Sequence, residues 1–382
     1  MWQYRYLRWI DWRTIPILAV LMAISLLVVS ATTGDVQELG QPDAGWSVFF
    51  TPYALGQLKG YALGWLAYLF FAGMDYRVLK KIAIPLYLFM VLMLVGLFFT
   101  APIQNVHRWY RIPGLGMSFQ PSEYAKLIVV IVLSWFLERQ GRLAARSRVA
   151  LQTILLVFVP FILILKQPDL GTSLVLYPIT LVLLYLAGAH RKWIFWMKIF
   201  GVAGVAIVSM FFLGIAPHEK LRPYATLVLK EYQYERLNPN TYHQQAAQTA
   251  LGLGGWTGSG WHKSEFTGRQ WLPAAHTDSV FAAFGEEFGV LGVFLLLLFF
   301  FGLLYFCFQV TAVAKDPFGR LLSAGIAVYL AVHVIVNAGM MCGFLPITGV
   351  PLILITCGGS SILCTMMALG ILQSIYSRRF MF

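Results

Sequence analysis

Long apolar runs separated by short polar connections organise the chain. The runs from Ile15 to Ala31, Ile82 to Ala101, Ile194 to Ala216 and Val280 to Phe308 are each long enough, as helices, to cross roughly 30 Å of hydrocarbon. Others are broken by Gly, Pro or single polar residues, near Tyr53 to Phe71, Tyr124 to Leu137, Val149 to Leu165, Thr172 to Ala189, Leu321 to Phe344 and Leu352 to Tyr376. The pattern predicts an all-α, polytopic membrane protein of about ten transmembrane helices. Residues 1–382 then form a single integral membrane domain, whose longest connection runs over about 217–278 between the seventh and eighth helices.

Charge gives this array a direction. Lys and Arg are retained on the cytoplasmic side during insertion, and here they fall in alternate connections. Arg5, Arg8 and Arg13 precede the first run; Arg77, Lys80 and Lys81 follow the second; Arg139, Arg142, Arg146 and Arg148 follow the fourth. Arg191 and Lys192, Lys315 and Arg320, and Arg378 and Arg379 continue the series, whereas the first outer connection has Asp35, Glu38 and Asp43 and no Lys or Arg. Both termini are expected on the cytoplasmic side. Val29-Ser30-Ala31 resembles a signal-peptidase site, but cleavage there would leave an odd number of spans. The composition, 59% hydrophobic and 12% charged, excludes a soluble globular class. The net charge of +12 therefore reads as topology and attraction to anionic lipid headgroups, with no nucleic-acid partner. Four cysteines, Cys307, Cys342, Cys357 and Cys364, lie in or beside spans without metal-type spacing and read as packing residues.

The long outer connection has three parts. From His218 to Leu237, Leu221, Tyr224, Leu227 and Val228 recur at helical spacing among Lys220, Arg222, Lys230 and Glu231, which predicts an amphipathic helix on the membrane surface. Gly252, Gly254, Gly255, Gly258 and Gly260 follow; without a Gly-Lys-Ser/Thr ending this is no nucleotide loop, and it reads either as close backbone approach to a ligand or as a flexible turn. Trp271 to Asp278 then leads directly into the eighth span. No internal repeat of the transporter type is visible.

Ionisable groups near membrane depth are costly unless paired or hydrated, so they mark candidate chemistry. Asp278, beside His276 and Thr277, is either a helix N-cap or a base suited to a sugar hydroxyl, and the two roles are compatible. Gln120-Pro121-Ser122-Glu123 leads to Lys126, three residues on and on the same helix face: a self-satisfied ion pair or a pair facing a cleft. Arg108-Trp109 and Arg111 place cations on the outer side, where a guanidinium can grip a diphosphate or anchor a headgroup. Gln167-Pro168-Asp169 can cap two helices or line a site. Glu286, Glu287, His333 and Asn337 fit an interhelical hydrogen-bond network as well as they fit chemistry, and are not assigned a catalytic role.

Taken in order, several blocks resemble the SEDS family, the shape, elongation, division and sporulation proteins. They are His107-Arg108-Trp109, Phe119 to Lys126, Gln167 to Ser173, Tyr242-His243, the glycine segment, Leu272-Pro273, His276-Thr277-Asp278 and Glu286-Glu287. Asn337 to Gly343, Leu345-Pro346, Gly349 to Leu352 and Gly358 to Ser360 close the series. Gln167 to Ser173 and Gly260-Trp261 are most similar to the rod-shape branch, with the division branch second. Ala246-Ala247, Ser279, Ile353 and Thr356-Cys357 depart from the family pattern.

The resemblance implies a peptidoglycan glycosyltransferase of the bacterial inner membrane. It would polymerise lipid II into glycan strands during elongation and release polyprenyl diphosphate. Asp278 would be the catalytic base on the acceptor hydroxyl. Arg108, Trp109, Gln120, Ser122, Glu123, Lys126, Gln167, Asp169, His276 and Thr277 would bind substrate, with Arg108 and Lys126 neutralising the leaving diphosphate and Glu123 orienting Lys126. No organic cofactor is implied; a divalent cation, Mg2+ or Mn2+, is compatible with the leaving group, with no metal ligands assigned. Expected partners are a class B penicillin-binding protein carrying the transpeptidase, other elongation-complex proteins and membrane lipids. A flippase for the lipid-linked precursor is the alternative, and a docking scaffold a third.

Overall fold

The computed structural model describes residues 2, 4–34, 49–101, 106–111, 118–212, 215, 218–226 and 231–380. Asp35, Glu38, Asp43, Leu227, Val228 and Lys230, and the side chains of Arg5, Lys220, Leu221 and Tyr224, lie outside the described residues.

The predicted spans appear as helices α1 (Thr14–Thr33), α2 (Pro52–Gly73), α3 (Val78–Gly96), α4 (Pro121–Gln140), α5 (Ser147–Lys166), α6 (Leu170–Leu186) and α7 (Arg191–Phe212). The long connection holds α8 (His218–Ala225), α9 (Glu231–Glu235), α10 (Tyr242–Gly254) and α11 (Glu265–Gly268), and α12 (Val280–Val313), α13 (Pro317–Met341) and α14 (Gly359–Ser377) complete the order. Among the described residues, seven of these helices are long and apolar enough to cross a membrane. The 17-residue α6 is apolar but shorter, and α2 and α4, of 22 and 20 residues, fill the remaining predicted spans with more polar sequence. The only described strands are β1 (Tyr110–Arg111) and β2 (Ser118–Phe119), an antiparallel pair ahead of α4.

Large apolar side chains such as Leu66, Phe89, Leu92, Phe200, Val202 and Phe301 are exposed on the outside of the bundle. In water such a surface would be a liability; facing acyl chains it costs nothing. Inside, lipid-facing helices gain little from apolar burial alone, so close packing on small residues carries the association. A Cβ at Gly370 of α14 would come within 2.6 Å of the Tyr68 carbonyl oxygen of α2. That contact admits glycine alone.

Polar contacts divide between the two ends of the bundle. At one end Lys80 Nζ lies 2.5 Å from Glu138 and 3.7 Å from Asp316. There too Asp11 N donates to Gln373 at 2.8 Å, and Arg378 donates to the Gly73 carbonyl at 3.0 Å. These are the connections that carry the predicted cytoplasmic cations. The predicted outer connections meet at the other end, where Cys357 N donates to His276 O at 2.9 Å and Trp261 Nε1 to Leu27 O at 3.0 Å.

Two expectations change. The last predicted span begins too early, because 352–358 is irregular backbone ahead of α14. Gly349, Pro351 and Gly358 interrupt the helix, and Leu352, Ile353, Leu354 and Ile355 are buried by protein, which makes non-helical backbone tolerable there. The eighth span, α12, is 34 residues long and is broken at Gly289, with φ at 63°. There the glycine segment docks. Ser259 N and Gly260 N donate to the carbonyls of Glu286 and Glu287 at 3.0 and 2.9 Å, and Val290 N and Leu291 N donate to those of Gly255 and Trp256 at 2.9 and 3.2 Å. The loop thus replaces the helical bonds that the break removes. The glycines are used for close backbone approach, but to α12.

Candidate active site

The site is built from four segments at the end where the predicted outer connections meet. The first is the turn before α12. Ser279 occupies its N-cap position without capping through its side chain, and its hydroxyl instead pairs with His243 Nε2 at 2.7 Å. Asp278 therefore does not act as the cap, which corrects that reading. Its carboxylate stays available, half-buried, with Gly349 beside it: a Cβ on Gly349 would sit 3.5 Å from Asp278 Oδ2. Surrounding protein pushes the Asp278 carboxyl above its ordinary range, opposed by the positive charges of His243, Arg108 and Arg236, while Asp169 adds to the rise. Burial also lowers His243 and His276, with the Asp278 charge opposing both shifts.

The second segment is α13, whose Asn337 donates through Nδ2 to the Asp278 carbonyl at 3.1 Å and to the Val350 carbonyl at 2.8 Å. One turn earlier, His333 Nε2 lies 2.7 Å from Lys126 Nζ, which in turn lies 2.7 Å from Glu123 Oε1. The ion pair predicted on one face of α4 is present. It is also closed: Lys126 is 0% exposed and Glu123 2%, with the Tyr329 ring 5.3 Å from the ammonium. Lys126 and Glu123 form an internal pillar behind the site, with no surface open to a ligand.

The third segment joins the starts of α4 and α6. Asp169 caps α6 by accepting from Thr172 N at 3.3 Å. Its other oxygen accepts from Ser122 Oγ at 3.1 Å and Gln120 Nε2 at 3.3 Å. Arg108 donates to the Gln167 carbonyl at 3.0 Å and also to that of Pro168, so it clasps the turn that carries Asp169. Gln167 is buried and gives its amide to the Leu94 carbonyl at 2.9 Å. Trp109 is half-buried in the same connection. His276 packs on Tyr53, ring centres 5.0 Å apart, and the Thr277 carbonyl accepts from Thr356 Oγ1 at 3.2 Å.

Sequence reading passed over Arg236 as a site residue and used His243 only in the resemblance. Arg236 reaches the fourth segment, the 345–350 turn, donating to the Thr348 carbonyl at 3.1 Å. That turn closes an apolar groove of about 440 Å³ between α6, α7 and α13, lined by residues that include Leu174, Val205, Val332, Val336 and Thr348. Thr348 and Val350 of its lining flank Gly349, the residue beside Asp278. Glu286 is structural, accepting from Phe266 N and Thr267 N at 2.9 and 3.0 Å. Among the described residues, no three His, Cys, Asp or Glu side chains gather as a cation's ligand set.

The family model described as Cell cycle protein, covering FtsW, RodA and SpoVE, matches residues 12–379. The chain is similar to the peptidoglycan glycosyltransferase MrdB of Escherichia coli (strain K12), 31% identical over 368 residues, which cover 95% of this chain and 92% of that one. It resembles a chain of a solved structure described as "Structural coordination of polymerization and crosslinking by a peptidoglycan synthase complex", with TM-score 0.74, 27% identity and coverage of 97% and 98%. It also resembles the rod shape determining protein RodA of Thermus thermophilus, with TM-score 0.67, 26% identity and the same coverage. With the match extending over nearly its whole length, the chain belongs to the FtsW/RodA/SpoVE family.

Proposed function

We propose that the protein is a peptidoglycan glycosyltransferase that polymerises lipid II in the bacterial inner membrane and serves cell elongation. The observation that carries this reading is Asp278: a partly accessible carboxylate, uncommitted to capping, beside Gly349, whose neighbours Thr348 and Val350 line an apolar groove, and within the field of Arg108 and Arg236. A polyprenyl tail suits the groove and a diphosphate suits the arginines. In the reaction, the acceptor hydroxyl oxygen attacks the donor's anomeric carbon as the bond to diphosphate breaks. Asp278 takes the hydroxyl proton and returns it to water, and polyprenyl diphosphate leaves with the bonding pair.

The partner in this reading is a class B penicillin-binding protein that crosslinks the new strands, together with other elongation-complex proteins. Support comes from the likeness to a chain of a peptidoglycan synthase complex. The test is reconstitution in vesicles with lipid-linked disaccharide-pentapeptide supplied on the outer side. The wild-type chain is expected to make long glycan strands, and Asp278→Asn none. Movement of labelled lipid across the bilayer without any strand growth would establish a flippase instead.

A further inference from the structure

The turn that carries Asp278 is held through its backbone by the irregular segment 352–358. Thr356 Oγ1 donates to the Thr277 carbonyl at 3.2 Å, and Cys357 N donates to that of His276 at 2.9 Å. Two consecutive residues of one segment thus grip the two residues ahead of the carboxylate. Within the segment Leu354 sits in the left-handed region, with φ at 62°, which a leucine disfavours. Its shape is therefore imposed by its surroundings.

The groups that impose it come from α1 and α2. Tyr61 Oη donates to the Leu354 carbonyl at 2.5 Å, and Ser25 Oγ to that of Ile355 at 2.8 Å. Gln57 reaches further along the segment. Its Nε2 donates to the Thr356 carbonyl at 3.1 Å and to Ser25 Oγ at 3.0 Å, while its Oε1 accepts from Gly358 N at 3.2 Å. The side chain acts as one more peptide group, meeting a carbonyl and an N–H on either side of Cys357. Gln57 is 2% exposed, so water does not compete for these bonds. One helical turn before it, Tyr53 packs on His276, so α2 touches the Asp278 turn directly as well.

We infer that Gln57 is a positioning residue for Asp278, setting its turn through the main chain of Thr356 and Cys357. The Gln57 amide fixes the peptides of 356–358, and these fix the Thr277 and His276 carbonyls. Asn337 holds the next carbonyl, that of Asp278, from α13. A base must meet its hydroxyl within hydrogen-bond reach, so a displaced turn costs turnover more than affinity. Gln57→Met keeps the length of the side chain and removes both its donor and its acceptor.

The inference rests on the glycosyltransferase reading for the role of Asp278, and one arm of its test needs no turnover. Hydrogen exchange of the full chain in nanodiscs is followed by mass spectrometry for wild type and Gln57→Met. Exchange over 352–358 and over 274–280 should both quicken by about tenfold, with α13 unchanged. In strand synthesis by the same samples, kcat should fall about tenfold or more while KM stays within about twofold. Faster exchange confined to 352–358, uniform acceleration across the bundle, or a kcat within about twofold of wild type overturns the assignment. Thr356→Val removes the hydroxyl that bonds the Thr277 carbonyl and Leu352 N, and is the readout if Gln57→Met fails to fold. It should lower kcat in the same way, and the double variant should be no slower than the worse single one. Losses that multiply would place Gln57 outside this path and overturn it. A wild-type chain that makes no strands would defeat the glycosyltransferase reading, and the exchange arm alone would then decide whether Gln57 sets the turn.

Discussion

Asn337 holds Asp278 by its backbone: one side-chain amide bridges the Asp278 carbonyl at 3.1 Å and the Val350 carbonyl at 2.8 Å. The bond sets Asp278 against the turn that lines the groove. Asn337→Ala leaves both carbonyls without this donor and should destabilise the fold by about 1–2 kcal/mol. Turnover should fall by more than stability accounts for, with KM little changed. Strand synthesis and thermal melting of the same sample check both halves; an inactive protein that has also lost its melting transition would reduce the effect to misfolding.

As the proposed base, Asp278 must be ionised to accept a proton, so turnover should decline as pH falls. Because burial raises its carboxyl above the ordinary value of 3.8, the acid limb of the rate profile should lie above that value. His243 is the largest charge favouring the anion, with Arg108 and Arg236 also favouring it and Asp169 opposing. His243→Gln should therefore move the limb to higher pH. A shift to lower pH in the kcat profile would contradict this electrostatic account.

Glu123 and Lys126 are buried together, 2.7 Å apart. Glu123→Ala strands an ammonium in the bundle and should cost about 3–5 kcal/mol, seen as a lower melting temperature in detergent. Replacing both with methionine should recover most of that loss, and polymerisation with it. A double variant that melts like wild type yet makes no strands would move Lys126 from pillar to substrate ligand.

Gly171 faces the Thr348 carbonyl with no room for a methyl group. Gly171→Ala should displace the 345–350 turn, narrow the groove and raise KM for the lipid-linked substrate severalfold, with binding of a long-chain polyprenyl alcohol, used as a probe of the groove, weakened in parallel. Unchanged affinity for that probe would separate the groove from substrate binding.

Much of the fold could be read in the sequence because membrane spans are written locally, in run length and in flanking charge. The Glu123–Lys126 pair was equally legible, since three residues on a helix define a shared face. His333 lies 207 residues from Lys126, and no periodicity announces that they touch. Arg236 and His243 sit in a long connection where spacing carries no geometric rule. The early start assigned to the last span has a plain cause: 352–355 is apolar enough to pass for helix, while its burial against other protein segments is a tertiary fact. Gly289 was hidden for a related reason, as a glycine in an apolar run resembles the small residues that membrane helices use for packing.

The break at Gly289 also decides what mutagenesis can reveal. The loop and the outer part of α12 are spliced through four main-chain hydrogen bonds, none of which involves a side chain. Alanine at Ser259 would leave those bonds in place, whereas at the junction's glycines it would break them: a Cβ on Gly258 would fall 2.1 Å from the Glu287 carbonyl oxygen and one on Gly289 2.4 Å from Gly258 N. The nine residues from Val280 to Phe288, with Asp278 just ahead of them, are tethered to the loop at the point where they part from the rest of their helix. Backbone amide-to-ester replacement at Ser259 or Gly260, or proline there, is the perturbation to which this coupling would answer.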